Sequence, residues 1–351
     1  MNENAKKFQQ NLKTVAKGKK GSRDMTRDEA RFCLTFVFSD EVHPVQAGAL
    51  FTAMRFKGST EEELHGFLDA LENGSDSILV KAKTDSEMNP LFTANSPYDG
   101  RTKSLNLSVA ASLVCAASGV PVLLHSSTGL PPKKGVTAAP VLERLGIPVM
   151  LSGPEVAQNV ETKNFGFIHA SQFNYPIEKL RRWREILLYR TILHTLEVLN
   201  NPGRAKKRII GVAHDHLAGK FARIAAARGA EHVLVFPGLD GADELAMQKT
   251  VAVEVKNGQE SKITLDPKEY GFSYSDKFDP ENANTAAKIT EEVLQGEGEK
   301  YIEAVIYNAG IRIYVAKNNL TIQTAMDEAR EVLKSGRAHE LLNCLRGPNY
   351  R

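Results

Sequence analysis

The stretch from Arg208 to Leu245 limits what this chain can fold into more than any other. It reads as strand, helix, strand and acidic turn. Ile209 to Ala213 is a short apolar run. Asp215 has the chemistry of an N-cap, and Leu217, Phe221, Ile224 and Ala225 recur at helical spacing. Gly229 ends the helix, and His232 to Phe236 is a second apolar strand. A unit this compact implies a parallel crossover, with ligands received by the loops at the carboxyl ends of the strands. The loop from Pro237 to Glu244 sets Gly238 and Gly241 beside Asp240, Asp243 and Glu244. Such oxygens suit Mg²⁺ carried by a phosphorylated substrate. A solvated acidic turn has the same composition.

A chain of 351 residues can bury a large core and is expected to hold two structural units. The net charge of +3 is modest, so any case for nucleic acid rests on where the charges lie. Cys33, Cys115 and Cys344 show no paired or metal-like spacing, which favours a reducing interior. The polar, basic N-terminus lacks the apolar core of a signal peptide. Leu105 to Leu124, the longest apolar stretch, is interrupted by Asn106, Ser108, Ser112, Ser118, Gly119 and Pro121. It reads as a buried helix and a strand, not a membrane span. A cytoplasmic protein without membrane contact is expected.

Residues 1–23 form a basic arm, with Lys6, Lys7, Lys13, Lys17, Lys19, Lys20 and Arg23 around the apolar Phe8, Leu12 and Val15. Either a basic helix or a solvated, frayed terminus fits. Residues 24–75 read as a small helical domain of three short helices. Thr26 with Asp28 and Glu29, and Ser59-Thr60 with Glu61, Glu62 and Glu63, are helix starts. Asn73 to Ser86 is a polar linker. Residues 88–176 and 201–351 alternate strand and helix, an α/β domain. Its expected strands include Val120 to His125 and Pro148 to Leu151. Ile177 to Asn200 reads as one long helix joining the domains, with Lys179, Arg181, Arg182, Arg184 and Arg190 on a basic face beside Trp183, the only tryptophan.

Laid end to end, these segments resemble the anthranilate phosphoribosyltransferase family, glycosyltransferase family 3. The resemblance rests on Met25 to Ala30, Pro44 to Leu64, Tyr189 to Pro202, Gly238 to Glu244, Glu254 to Phe272 and Asn308 to Asn319. It implies a small helical domain hinged to a larger α/β domain, a cleft between them, and a homodimer through the helical domain. It also implies phosphoribosyl pyrophosphate on a glycine-rich turn, with Mg²⁺ at Asp243 and Glu244 only when that phosphorylated substrate is bound. Transfer to an aromatic amine would then rest on positioning and electrostatic stabilisation.

The chain departs from the family at the phosphate turn. Where the family has glycine-threonine-glycine-glycine-aspartate, this chain has Ser96, Pro97, Tyr98, Asp99 and Gly100. Proline offers no N–H, and tyrosine is bulky where backbone amides must approach a pyrophosphate. Of the family's lysine-histidine-glycine-asparagine-arginine loop only His125 survives, in Leu124 to Thr128. Asn174-Tyr175-Pro176 replaces a histidine-proline segment. Asn106 and Ser108 are retained. Arg184 stands near a substrate-binding arginine, one residue out of register. The turn from Tyr98 to Lys103 is similar to that of divergent paralogues, some of which bind nucleic acid.

Two readings follow. In the first, a rebuilt cradle accompanies binding of nucleic acid or another polyanion through a basic cleft. Arg101, Lys103, Lys133, Lys134, Arg181, Arg182 and Arg184 are the phosphate contacts, and Trp183 and Tyr98 stack on bases. A solvated helix face is the plain alternative for these charges. In the second, an active Mg²⁺-dependent phosphoribosyltransferase binds its substrate through Asp99, Gly100, Arg101, Lys103, Asn106, Ser108, His125 and Arg184. A nucleoside phosphorylase is a related option without a visible base-specific residue. No residue is assigned a catalytic role. His214 and His216, two apart, suit a loop or cap better than a metal site; His125 and His169 sit at expected strand ends.

Overall fold

The structure is a computed structural model that describes residues 2–18, 20–39, 41–78, 90–275 and 277–348. Lys19, the linker from residue 79 onward and the expected domain start at 88 lie outside the described residues.

Four helices open the chain: α1 (Glu3–Val15), α2 (Arg27–Phe38), α3 (Pro44–Lys57) and α4 (Glu61–Asn73). The cap signals at Thr26 and Thr60 are both realised as capping boxes, with Glu29 and Glu63 reaching back to the cap amides. Most of the basic arm is therefore not an arm. Its first part is α1, which buries Phe8 and Val15 and sets the Phe8 ring 5.1 Å from Phe36. The crossing of α2 and α4 depends on Gly66, where a Cβ would lie 2.1 Å from the Arg27 carbonyl oxygen.

The second unit is a seven-stranded sheet: β1 (Phe92–Asn95), β2 (Val122–Ser126), β3 (Phe165–His169), β4 (Lys207–Val212), β5 (His232–Pro237), β6 (Thr250–Lys256) and β7 (Gln259–Leu265). Its order is β3-β2-β1-β4-β5-β6-β7. The first five strands are parallel, and β6 and β7 add an antiparallel hairpin. Alternate residues of the central strands enter opposite cores. Ile209 and Leu234 meet the helices Ser108–Ala117 and Glu299–Ala316, whereas Ile210, Val233 and Val235 share a core with the helical domain. Covering both faces explains the continuous apolar runs.

Two expectations are corrected here. Pro148 to Leu151 is not a strand; Pro148 has no N–H for a ladder, and the segment leads into the Ser152-capped helix Gly153–Lys163. Phe165–His169 takes the edge instead, with Val122 opposite Phe165. Ile177 to Asn200 is not one helix but part of three: Tyr175–Lys179, Arg181–Leu187 and Ile192–Leu199. Leu188 turns left-handed at φ 58°, and Thr191 caps the last of them. Among the described residues no helix is long and apolar enough to cross a membrane.

Replacing Gly66 with alanine should destabilise the protein by roughly 1–3 kcal/mol, since the helices must separate to admit one methyl. Urea denaturation measures this; an unchanged midpoint would mean that the crossing does not limit stability.

Candidate functional site

Strand order reverses between β1 and β4, so the loops at their carboxyl ends flank the natural ligand crevice. The turn after β1 is clamped by close backbone approach. A Cβ on Gly100 (φ 73°) would lie 2.4 Å from the Gly135 carbonyl oxygen, and Arg101 bridges to Val136. The acidic loop after β5 is pressed onto β4 in the same way: Cβ atoms on Gly211 and Gly238 would fall 1.8 and 1.7 Å from the Ala242 oxygen. Asp240 ties the two turns together, accepting from the Lys103 amide at 2.9 Å and the Ser104 hydroxyl at 3.0 Å.

Asp243 and Glu244 are buried at this junction, each 2% exposed. Arg312, from the last third of helix Glu299–Ala316, reaches Asp243 Oδ2 at 2.7 Å. Arg101 Nη1 donates to Glu244 Oε2 at 2.9 Å, and its Nη2 lies 3.7 Å from Asp243 Oδ1. The hydroxyls of Ser96 and Ser108 also donate to Asp243, and the Leu107 amide donates to Glu244 at 3.0 Å. Burial alone would raise the Asp243 carboxyl, but Arg312 and Arg101 hold it below its usual range. Burial pushes Glu244 up, with Arg101 opposing and Asp243 adding to the rise. Two guanidiniums thus supply the positive charge that a divalent cation would bring. In this arrangement both carboxylates are taken by arginines, and Mg²⁺ carried by a phosphorylated substrate would be held by this pair in their place.

The turn's other side chains fill the space beside that cluster. Tyr98 is fully buried, and its Oη lies 2.6 Å from His125 Nδ1. The Asn95 amide nitrogen donates to the Asn200 carbonyl at 2.7 Å and to His125 Nε2 at 3.0 Å. Since that nitrogen only donates, Nε2 accepts and the ring proton sits on Nδ1, facing Tyr98. Burial pushes His125 down to about 3, so the ring stays neutral. The Tyr98 amide donates to Glu197 at 2.9 Å. The cavity left among Ser96, Gly100, Arg101, Asn106, Ser108 and Asp243 is about 30 Å³, the share of one water molecule. Beside it, separated by Pro97 and Gly241, opens a cleft of about 830 Å³ between the sheet and the helical domain. Arg190 lies in its wall, bound through two bonds to Asp99 (2.7 and 2.8 Å).

The structure sorts the basic candidates. Arg184 is corrected: it is completely buried, ion-paired with Glu197, and 2.9 Å from His194. A sealed guanidinium cannot meet a substrate or a phosphate backbone. Arg101 is equally withdrawn into the acidic cluster, and Tyr98 presents no face for stacking. Lys103, Lys134 and Arg182 are exposed, while Lys133, Arg181 and Trp183 are half-buried. These residues share one rim, because Arg181 donates to Thr128 O and Ser127 Oγ, and Lys134 pairs with Glu185. His214 and His216 stack in the loop after β4, ring centroids 5.6 Å apart. His169 Nε2 receives the Thr128 amide at 3.1 Å. Sequence reading missed Arg312, Glu197 and the role of Arg190. An arginine inside the apolar run Ile311 to Val315 was the available signal, since a buried charge needs a partner.

Two outcomes follow from this geometry. Arg312→Met should destabilise the fold by roughly 3–5 kcal/mol, because Asp243 stays buried with half its counter-charge gone; a loss under about 1 kcal/mol in urea unfolding would show that the cluster is not strongly coupled. His125 is neutral when folded and has an unfolded value near 6.5, so its contribution is complete above about pH 6.5 and is lost as pH falls toward 3. Between pH 7 and 5 stability should drop, each such histidine adding up to roughly 1.4 kcal/mol per pH unit. His125→Phe should remove one histidine's share of that slope, and an identical slope in both proteins would refute the assignment.

Comparison with known proteins agrees with this architecture. Residues 9–73 match the glycosyl transferase family helical bundle domain, and residues 99–339 match its a/b domain. Anthranilate phosphoribosyltransferase of Geobacillus kaustophilus is 30% identical over 343 residues, covering 97% of each chain. That of Geobacillus sp. strain WCH70 is 29% identical over 92% of this chain and 94% of its own. The crystal structure of the Thermus thermophilus enzyme superposes with a TM-score of 0.81 at 26% identity, over 95% of this chain and 97% of that one. The Saccharomyces cerevisiae enzyme in complex with PRPP and Mg shares the fold, with a TM-score of 0.82 at 19% identity over 97% of both chains. With its helical bundle, its mixed sheet and its acidic loop all matched in sequence, the chain belongs to glycosyltransferase family 3, the family of the anthranilate phosphoribosyltransferases.

Proposed function

We propose that this chain uses the family scaffold to bind a polyanion, specifically nucleic acid, along its basic rim, while its own side chains fill the phosphoribosyl pyrophosphate cradle. The observation that carries this reading is the buried Tyr98–His125 contact, which leaves about 30 Å³ where small-molecule sites have several hundred. Lys103, Lys133, Lys134, Arg181 and Arg182 would contact phosphates, each releasing counterions, and the half-buried Trp183 would offer an edge to a base. A cytoplasmic homodimer joined through the helical domain belongs to the same proposal. Val45 and Phe56 on α3 and Ile186 and Leu188 near it are 72, 83, 71 and 77% exposed, an apolar face suited to a second copy.

A second reading is Mg²⁺-dependent transfer of phosphoribose to anthranilate. The named activity of relatives that match nearly the whole chain favours it, as do Asn106, Ser108, His125 and the acidic pair. It requires Tyr98 to leave the cradle and a metal to displace Arg101 and Arg312.

Isothermal titration with phosphoribosyl pyrophosphate and Mg²⁺, beside titration with a single-stranded oligonucleotide at two salt concentrations, separates the readings. The expected result is no micromolar binding of the first. Oligonucleotide affinity should fall steeply with salt and weaken in Arg181→Ala with Arg182→Ala. Micromolar, Mg²⁺-dependent binding lost in Asp243→Ala with Glu244→Ala would replace the proposal with the transferase. A monomer by sedimentation would remove the dimer.

A further inference from the structure

A second cavity lies at the other end of the sheet, where β4 begins. It measures about 670 Å³, against about 30 Å³ at the cradle. Its wall comes from α4, the turn after helix Ile192–Leu199, the first residues of β4 and the carboxyl end of helix Ala218–Ala227. None of the carboxyl-end loops of the cradle enters it.

Arg208 lies in this wall and is 1% exposed. Its Nη2 donates to the carbonyls of Leu199 and Asn200, at 2.8 and 3.0 Å, but its Nε has no partner. Two of the nearby acids are already committed. Asp69 is held by Arg27 at 2.6 Å and Arg228 at 2.9 Å, and Glu72 by Arg228 at 2.6 Å. A guanidinium so deeply buried without a carboxylate is costly, and buried charges are ordinarily paired. Burial pushes Arg208 down to about 9. His65 Nδ1, also in the wall, is buried and unpartnered. Arg204, held at φ 51°, is exposed on the same wall. The wall carries five cationic side chains, Arg27, Arg204, Lys206, Arg208 and Arg228, and four acids, Glu62, Asp69, Glu72 and Asp76, with Lys206 paired outside the wall to Glu231 at 2.6 Å.

We infer that this cavity is a binding site for a phosphate monoester, with Arg208 as the fixed donor in its wall and Arg204 closing on the anion from the exposed side. Phosphate fits better than a carboxylate, because its three terminal oxygens can accept from more than one guanidinium at once. The full dimension of the cavity leaves room for the organic part of the ester. This site does not rest on the polyanion reading, which concerns the basic rim around Lys103, Lys134 and Arg182.

The test uses the full-length chain and inorganic phosphate. Phosphate should raise the thermal midpoint more than chloride at equal ionic strength. By calorimetry Arg204→Ala should weaken phosphate binding about ten-fold or more, and Arg208→Met should abolish it. Lys103→Ala with Lys133→Ala, on the distant rim, should leave the phosphate affinity unchanged. Absence of a phosphate-specific shift in the natural chain overturns the proposal. So does equal affinity in Arg204→Ala, a surface change that decides the matter even if Arg208→Met does not fold. A loss of phosphate binding confined to the rim variant places the anion elsewhere and also overturns it.

Discussion

The pairing of two buried carboxylates with two buried arginines holds this protein's functional end in its present shape. Asp243 and Glu244 come from the loop after β5, Arg101 from the turn after β1, and Arg312 from a helix near the end of the chain. Ser108, at the start of the helix that follows the β1 turn, completes the set. Each charge is tolerable only because the others are present, since any one alone would face a low-dielectric interior without solvation. Three stretches far apart in sequence, around Arg101 to Ser108, Asp243 to Glu244 and Arg312, are therefore fixed together.

That fixing has consequences beside it. With Arg101 drawn inward and Gly100 pressed on Gly135, Tyr98 lies in the interior, where its hydroxyl meets His125. The turn after β1 becomes core. The open space lies instead on the other side of Pro97, at the reversal of strand order and against the helical domain. Family membership and a buried Tyr98–His125 contact are compatible, because a scaffold carries many chemistries and its loops decide among them.

Local signals were reliable wherever the physics is local. Thr26 with Glu29 and Thr60 with Glu63 announce capping boxes because both partners lie within one turn. The strands at Ile209 and His232 were legible because strands covered on both faces show uninterrupted apolar runs. The same signal misled at Pro148 to Leu151, where an apolar run lacks the amide a ladder needs. It misled again over Ile177 to Asn200, where helical spacing continues past a left-handed Leu188. Arg181, Arg182 and Arg184 share one basic stretch of sequence, yet the first two reach solvent or a loop and the third is sealed against Glu197.

By itself the sequence determined the two-part architecture and the acidic loop, because these depend on periodicity, capping and residue type. Only the tertiary structure decided which charges are exposed and which carboxylates are already neutralised. It also decided whether Tyr98 faces a ligand or the interior. Those outcomes turn on contacts between residues far apart in the chain, such as Arg101 with Glu244 and Arg190 with Asp99 across 143 and 91 residues. Burial sets the strength of such contacts, and burial exists only once the chain has folded.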